Sequence, residues 1–173
     1  MESIKIKKAT EQDIDRLQLI GKQTFAETFS SENSEENMRE YLEKEFSIEK
    51  LKSELTDENS EFYFAKLDNE TIGYLKINIG QSQTEIKGTN SLEIERIYVL
   101  REFYGKKVGQ ILYYKAIEIA KGNNVDYVWL GVWEQNLRAI RFYEKNGFVE
   151  FNKHVFVLGE DEQTDIMMKL KLN

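Results

Sequence analysis

There is no cysteine in this 173-residue sequence, no proline, and one histidine, His154. The first absence excludes disulfides, thiolate nucleophiles and every metal site built on cysteine, and a lone histidine leaves zinc without its usual ligand set. No metal is expected. Any catalysis must draw on carboxylates, Tyr, Ser or Thr, Lys, or the backbone. With no proline and no Gly/Ser-rich stretch, nothing reads as a linker, and residues 1–173 are expected to form a single domain. Long apolar runs are missing too: none approaches the roughly 18 residues that span a bilayer, and the opening "MESIKIKKAT" lacks the apolar centre of a secretory signal. A cytoplasmic protein without a membrane partner is expected. A surplus of Lys and Arg is also absent: the formal net charge is -7, which argues against nucleic-acid binding and suits a cationic partner.

What is present, 40% hydrophobic and 32% charged residues without repeats, describes an ordinary globular chain. "SIKIKKAT" alternates as a first strand, and Thr10 with Asp13 resembles a capping arrangement opening a helix through about Phe25. Met38, Tyr41, Leu42 and Phe46 repeat at helical spacing, and Ser47 caps a further short helix through Leu51 and Leu55. The period then changes. "EFYFAKL" and "TIGYLKINI" flank the turn Asp68-Asn69-Glu70 as a hairpin, and "SLEIERIYVL" is a longer strand after the polar loop from Gly80 to Asn90. Lys107 to Lys121 carries one apolar stripe, expected to close at Gly122; "DYVWLGV" reads as a strand buried on both faces. A helix from Leu137 to Asn146 ends at Gly147, and "FVEFNKHVFVL" and "TDIMMKLKL" close the chain as strands. The order predicts an α/β fold, one mixed sheet with helices on both faces.

The stretch "YVLREFYGKKVGQILYYKAI" passes from strand to a turn with two glycines and then to a helix, a way of aiming unpaired backbone N–H groups at a phosphate. Two familiar phosphate loops are excluded. Gly105 and Gly109 have the wrong spacing for G-x-x-x-x-G-K-[ST], with Gln110 where its Lys would stand, and no third glycine completes G-x-G-x-x-G. Downstream, "VWEQNLRAIRFYEKNGF" supplies Asn136, Ala139, Phe142, Tyr143, Gly147 and Phe148. Together the two stretches resemble the GNAT family of N-acetyltransferases, whose cofactor loop follows Q/R-x-x-G-x-G/A and whose later signature is N-x-x-A-x-x-F-Y-x-x-x-G-F. The later signature matches at every specified position. In the loop, Tyr104 takes the Q/R place and Lys107 a position often filled by Gly, where a positive φ would cost roughly 1 kcal/mol. "WLGVWEQN" and "HVFVLGEDEQTD" are further similar to the PaiA-type spermidine/spermine N-acetyltransferases.

The resemblance implies the acyl-CoA N-acyltransferase fold, acetyl-CoA as cosubstrate, and direct transfer to a primary amine in a ternary complex, with a polyamine such as spermidine or spermine as acceptor. It implies backbone contacts to the cofactor from Ile97, Tyr98 and Val99 and from Tyr104, Gly105, Lys106, Lys107, Val108, Gly109 and Gln110. Asn136 and Tyr143 would line the cofactor arm, and Lys106, Lys107 and Lys145 would add positive charge. Tyr143 matches the position whose hydroxyl protonates the leaving thiolate. Only about 1 in 2500 alkylamines is neutral near pH 7, so a base or a dehydrated pocket must help. By the resemblance Glu93 falls where some family members place a base, and Glu95 is the other candidate. Strict alternation puts both glutamates with Ile97 and Val99 on one strand face, and Leu92, Ile94, Arg96 and Tyr98 on the other. Glu27, Glu32, Glu35, Glu36, Glu40, Glu43 and Glu45 crowd the early helices where a cationic acceptor would enter. His154 reads as a hairpin residue. Other amines (a protein N-terminus, a lysine, an aminoglycoside), a non-catalytic acyl-CoA-binding module, and a monomer or homodimer remain open.

Overall fold

A computed structural model describes residues 3–86 and 88–172. Strand β1 (Ile4–Lys8) is followed by helices α1 (Ile14–Phe29), α2 (Glu35–Glu45) and α3 (Ile48–Leu55), and then by strands β2 (Ser60–Leu67), β3 (Glu70–Ile79) and β4 (Ser91–Val99). Helix α4 (Val108–Gly122), strand β5 (Tyr127–Trp133), helix α5 (Leu137–Lys145) and strands β6 (Val149–Leu158) and β7 (Asp161–Lys171) complete it. The seven strands form one sheet in the order β1-β2-β3-β4-β5-β7-β6, antiparallel except where β4 meets β5. This is the mixed α/β architecture that the element order predicts. No helix among the described residues is long and apolar enough to cross a membrane.

Local chemistry sets most boundaries. Thr10 and Asp13 do form a capping box, but around a 3-10 turn, Glu11–Asp13, so that α1 itself starts at Ile14 and runs on to Phe29. Ser34 and Ser47 cap α2 and α3 by accepting from Asn37 and Lys50 amides. Gly147, at φ +97, turns the chain after α5. Helix α4 departs from expectation: Gly122 stays in the last turn, and Asn124 takes the left-handed φ of +55, a conformation Asn tolerates better than most side chains.

Two cores sandwich the sheet. On one face α4 and α5 bury Val108, Leu112, Ala116 and Tyr143 against Leu75, Ile94 and Leu130. On the other, α1, α2 and α3 bury Leu17, Phe25, Met38 and Leu51 against Phe62, Phe64 and Tyr74. Gly21 lets α1 approach this second core, because a Cβ there would lie 2.5 Å from the Phe46 ring.

One irregularity in β4 shapes everything that follows. Lys76 pairs with Arg96 but Ile77 pairs with Ile94, leaving Glu95 bulged out of register. Strict alternation therefore fails: Ile94, Ile97 and Val99 pack on the α4 side, whereas Tyr98 packs with the α1 side and Arg96 lies 4.8 Å from the Phe46 ring centre there. Asn78 donates to both Glu93 and Glu95, which places the two glutamates together and away from Ile97 and Val99.

Candidate active site

Strands β4 and β5 pair only over Ser91–Glu93 with Tyr127–Trp129. Beyond that β4 stays with β3 while β5 follows β7, so the edge of β4 from Ile94 to Val99 has no strand partner on the β5 side among the described residues. The bulge at Glu95 falls just past the last pair, and bulges increase local twist. Two joined spaces fill the resulting gap. An outer groove of about 1030 Å³ and an inner chamber of about 360 Å³ share Ile97, Tyr98, Trp133, Asn136, Ala139 and Tyr143 as their common wall.

The groove runs past the start of α4. After the 3-10 turn Arg101–Phe103, Gly105 sits at φ +80 and Lys107 at φ +65, the strained value expected where a Gly is common. The amides of Lys107, Val108, Gly109 and Gln110 find no backbone acceptor among the described residues, so the helix opens with free donors and a positive dipole end. Of the residues expected at a cofactor, Ile97, Tyr98, Val99, Tyr104, Gly109, Asn136, Tyr143 and Lys145 line the groove. The other loop side chains point to different tasks: Val108 is buried in the core, Lys106 lies 5.6 Å from the Phe103 ring centre, and Gln110 donates to Asn146 at 2.9 Å, tying α4 to α5. Apart from the exposed Lys106 and Lys107 side chains, what Gly105 to Gln110 present is main chain.

Sequence reasoning missed the arginines. Arg101, Arg138 and Arg141 line the groove, and Arg138 stacks at 3.6 Å on the Tyr104 ring, so the aromatic in the Q/R place brings a guanidinium with it. Arg138 and Arg141 are one helical turn apart and flank Ala139 of the matched signature, a signal that helical spacing carries. An open β4 edge, an N-terminal turn of free amides and these cations together fit a diphosphate joined to an amide-containing arm.

Tyr143 stands at the neck between groove and chamber. Its ring packs against Phe142 and Phe148, and burial, with a smaller contribution from Tyr113, pushes its phenol well above the usual range. The group therefore carries its proton at neutral pH. Asn136 caps α5, its side-chain oxygen accepting from the Ala139 amide at 3.2 Å.

In the chamber the two candidate bases differ. Glu93 has both oxygens occupied: one accepts from Asn78 at 3.0 Å and the Thr84 amide at 2.8 Å, the other from the Thr84 hydroxyl at 2.7 Å. Burial outweighs these bonds and raises its pKa. Glu95 is also pushed up by burial, but Arg96 and Lys76, the latter 2.8 Å away, outweigh that and bring it to about 2. Such a carboxylate holds the bulge in place and is a poor proton acceptor. Of the seven glutamates of the early segment, Glu27 and Glu32 reach the groove and Glu45 the chamber; Glu35 and Glu43 line a separate hollow beside α2, and Glu36 and Glu40 are exposed. Glu27 accepts from the Arg101 amide at 3.0 Å, so part of that negative charge is spent on the loop. His154, read as a hairpin residue, lies on β6 and also lines the chamber. No cluster of three acidic or His side chains among the described residues is arranged for a metal.

The model of the acetyltransferase (GNAT) family matches residues 22–148. The chain belongs to the GNAT family. An uncharacterized N-acetyltransferase of Lactobacillus delbrueckii subsp. lactis is 41% identical over 172 residues, 99% of either chain. The spermidine N(1)-acetyltransferase of Thermoplasma acidophilum is 29% identical over 150 residues, 84% of this chain and 88% of that one. The crystal structure of a PaiA N-acetyltransferase from the same organism, in complex with coenzyme A, superposes with a TM-score of 0.81 at 28% identity, covering 98% of this chain and 99% of that one. This GNAT protein is therefore PaiA-like, an acetyl-CoA-dependent N-acetyltransferase with the fold that its element order implies.

Proposed function

We propose that this GNAT enzyme, acting as a single domain, acetylates a primary amine of a polyamine such as spermidine or spermine by direct transfer in a ternary complex. The carrying observation is the two-part cleft: an outer groove walled by arginines and free amides opens through the Tyr143 neck into a narrower chamber edged with carboxylates. The named relative that acts on spermidine supports the same acceptor.

Acetyl-CoA, when bound, supplies a thioester carbonyl activated for attack. The main chain of Lys107 to Gln110, with Arg101, Arg138 and Arg141, would hold its phosphates, and the open edge at Ile97 to Val99 would pair with the amides of its arm. Tyr143 would hold a proton at the neck for the departing thiolate, whose basicity the same buried surroundings raise alongside that of the phenol. Asn136 would fix the start of α5 and so the placing of Tyr143. The chamber would exclude bulk water from the acceptor and offer it carboxylates.

A free-thiol assay with acetyl-CoA tests the acceptor. Spermidine or spermine is expected to turn over with kcat/KM at least about tenfold above a monoamine of equal chain length, because extra ammonium groups gain charge contacts. Equal values would remove the polyamine assignment. Tight acetyl-CoA binding with no thiol release from any amine would favour a binding module.

A further inference from the structure

Four carboxylates line the chamber, Glu45, Glu93, Glu95 and Asp165. Three are already engaged: Glu45 with Lys50 at 2.6 Å, Glu95 with Lys76 and Arg96, and Glu93 through hydrogen bonds on both oxygens. Asp165 is different. Its only ion-pair neighbour among the described residues is His154, its cross-strand partner, whose Nε2 lies 3.4 Å from Oδ2. The other ring nitrogen, Nδ1, lies 3.3 Å from Glu85 Oε1. Side-chain exposure rises along the row, 17% for Asp165, 27% for His154 and 40% for Glu85. Nδ1 itself is buried and makes no hydrogen bond among the described residues, so the row reaches solvent at Glu85 and the Nδ1 contact is one of charge.

Donor counting shows what the row holds. A neutral imidazole donates from one nitrogen only, and both flanking carboxylates are acceptors when ionised. Both contacts are attractive only when the row carries one additional proton, on the imidazole or on a carboxyl. Burial raises the Asp165 pKa, the His154 charge lowers it and Glu85 raises it again, with a net rise. This carboxyl is suited to taking up and passing on a proton, whereas Glu95 is not.

We propose that Asp165, His154 and Glu85 form the proton exit for the acceptor amine, an inference that rests on the chamber holding that amine. The ammonium N–H bond breaks, its electron pair stays on nitrogen as the attacking lone pair, and the proton passes to Asp165 directly or through water. From Oδ2 it moves to the free Nε2 of a neutral His154 whose Nδ1–H faces Glu85. The imidazolium so formed is the row with its one additional proton. It passes the Nδ1 proton by way of Glu85 to solvent, after which tautomer exchange through water frees Nε2 again. Other charged groups at the chamber do not compete: Glu45 with Lys50 and Glu95 with Arg96 are paired, and burial pushes the phenols of Tyr41, Tyr98 and Tyr143 above the working range. Glu93 is left as the comparison.

The test is the pH profile of Asp165→Asn, His154→Gln, His154→Ala and Glu93→Gln, read by thiol release with whichever primary amine turns over, so a mistaken polyamine assignment does not disguise the outcome. Asp165→Asn and His154→Gln are expected to lose on the order of a hundredfold in kcat near pH 7, with KM for acetyl-CoA unchanged and the loss fading as pH approaches the amine pKa of about 10. Added imidazole should restore much of the His154→Ala loss. A loss equal at every pH, an effect confined to KM for polyamines, or the pH-dependent loss appearing in Glu93→Gln and not in Asp165→Asn would each overturn the relay. Melting curves identify any variant that fails to fold, and His154→Gln and His154→Ala are independent of Asp165→Asn in that respect.

Discussion

At the scale of single residues, two side chains give opposite signatures on substitution. Tyr143→Phe keeps the ring that Phe142 and Phe148 pack against and removes only the hydroxyl at the neck. It is expected to lower kcat about a hundredfold or more while leaving acetyl-CoA affinity within about twofold, as for a group that acts in the transition state. Unchanged turnover would take Tyr143 out of the acid role. Glu95→Gln is expected to act on stability instead, because Lys76 and Arg96 are left in a buried site sharing Glu54 as their remaining carboxylate; a loss of about 2 kcal/mol in urea unfolding is anticipated. The native state depresses the Glu95 pKa to about 2. Its stabilisation is therefore full above the unfolded carboxylate value of about 4.3 and disappears as pH falls through the folded value. Wild type should lose stability more steeply than Glu95→Gln on acidification from about pH 5 to 2, and parallel curves would contradict this. Tyr143 was legible in the sequence because its signature is local and complete. The different fates of Glu93 and Glu95 were not, since they depend on Asn78, Thr84 and Lys76, which approach from other parts of the chain, and on a bulge that brings the neighbouring Arg96 onto Glu95.

Among the elements, the turn into α4 and the bulge in β4 decide the site. Lys107 at φ +65 was foreseeable as a strained position, and its consequence can be measured. If the cradle is main chain, Lys107→Gly should keep the Kd of acetyl-CoA within about threefold and cost no stability, since relief of the left-handed strain offsets added chain entropy. Lys107→Val, β-branched at the same φ, should lose about 1 to 2 kcal/mol and weaken binding by about tenfold or more. Calorimetry on the pair would contradict the account if Gly and Val weakened binding equally, because the lysine charge would then be the contact. The bulge was illegible: "LEIERIYV" alternates well, and only pairing with β3 shows that Glu95 is skipped and that Ile97 and Val99 change sides. Helix ends fared better where neighbours in sequence make the cap, as Ser47 and Gly147 illustrate, while the Thr10 box was read correctly but opens a 3-10 turn before α1.

Across the whole molecule, the order of strands and helices was readable from period and turn residues, but the departure of β4 from β5 was not, because a parallel pair that ends after Glu93 leaves no mark on either segment alone. That departure makes one groove from parts distant in sequence: the β4 edge, the α4 turn and α5. The central claim is that this groove grips acetyl-CoA through main-chain amides, and backbone hydrogen exchange with and without acetyl-CoA tests it most directly. Exchange is expected to slow at Lys107 to Gln110 and along Ile97 to Val99, with little change on β1 or β6. Unaltered exchange at the α4 turn under saturating acetyl-CoA, with protection on other segments, would contradict the account.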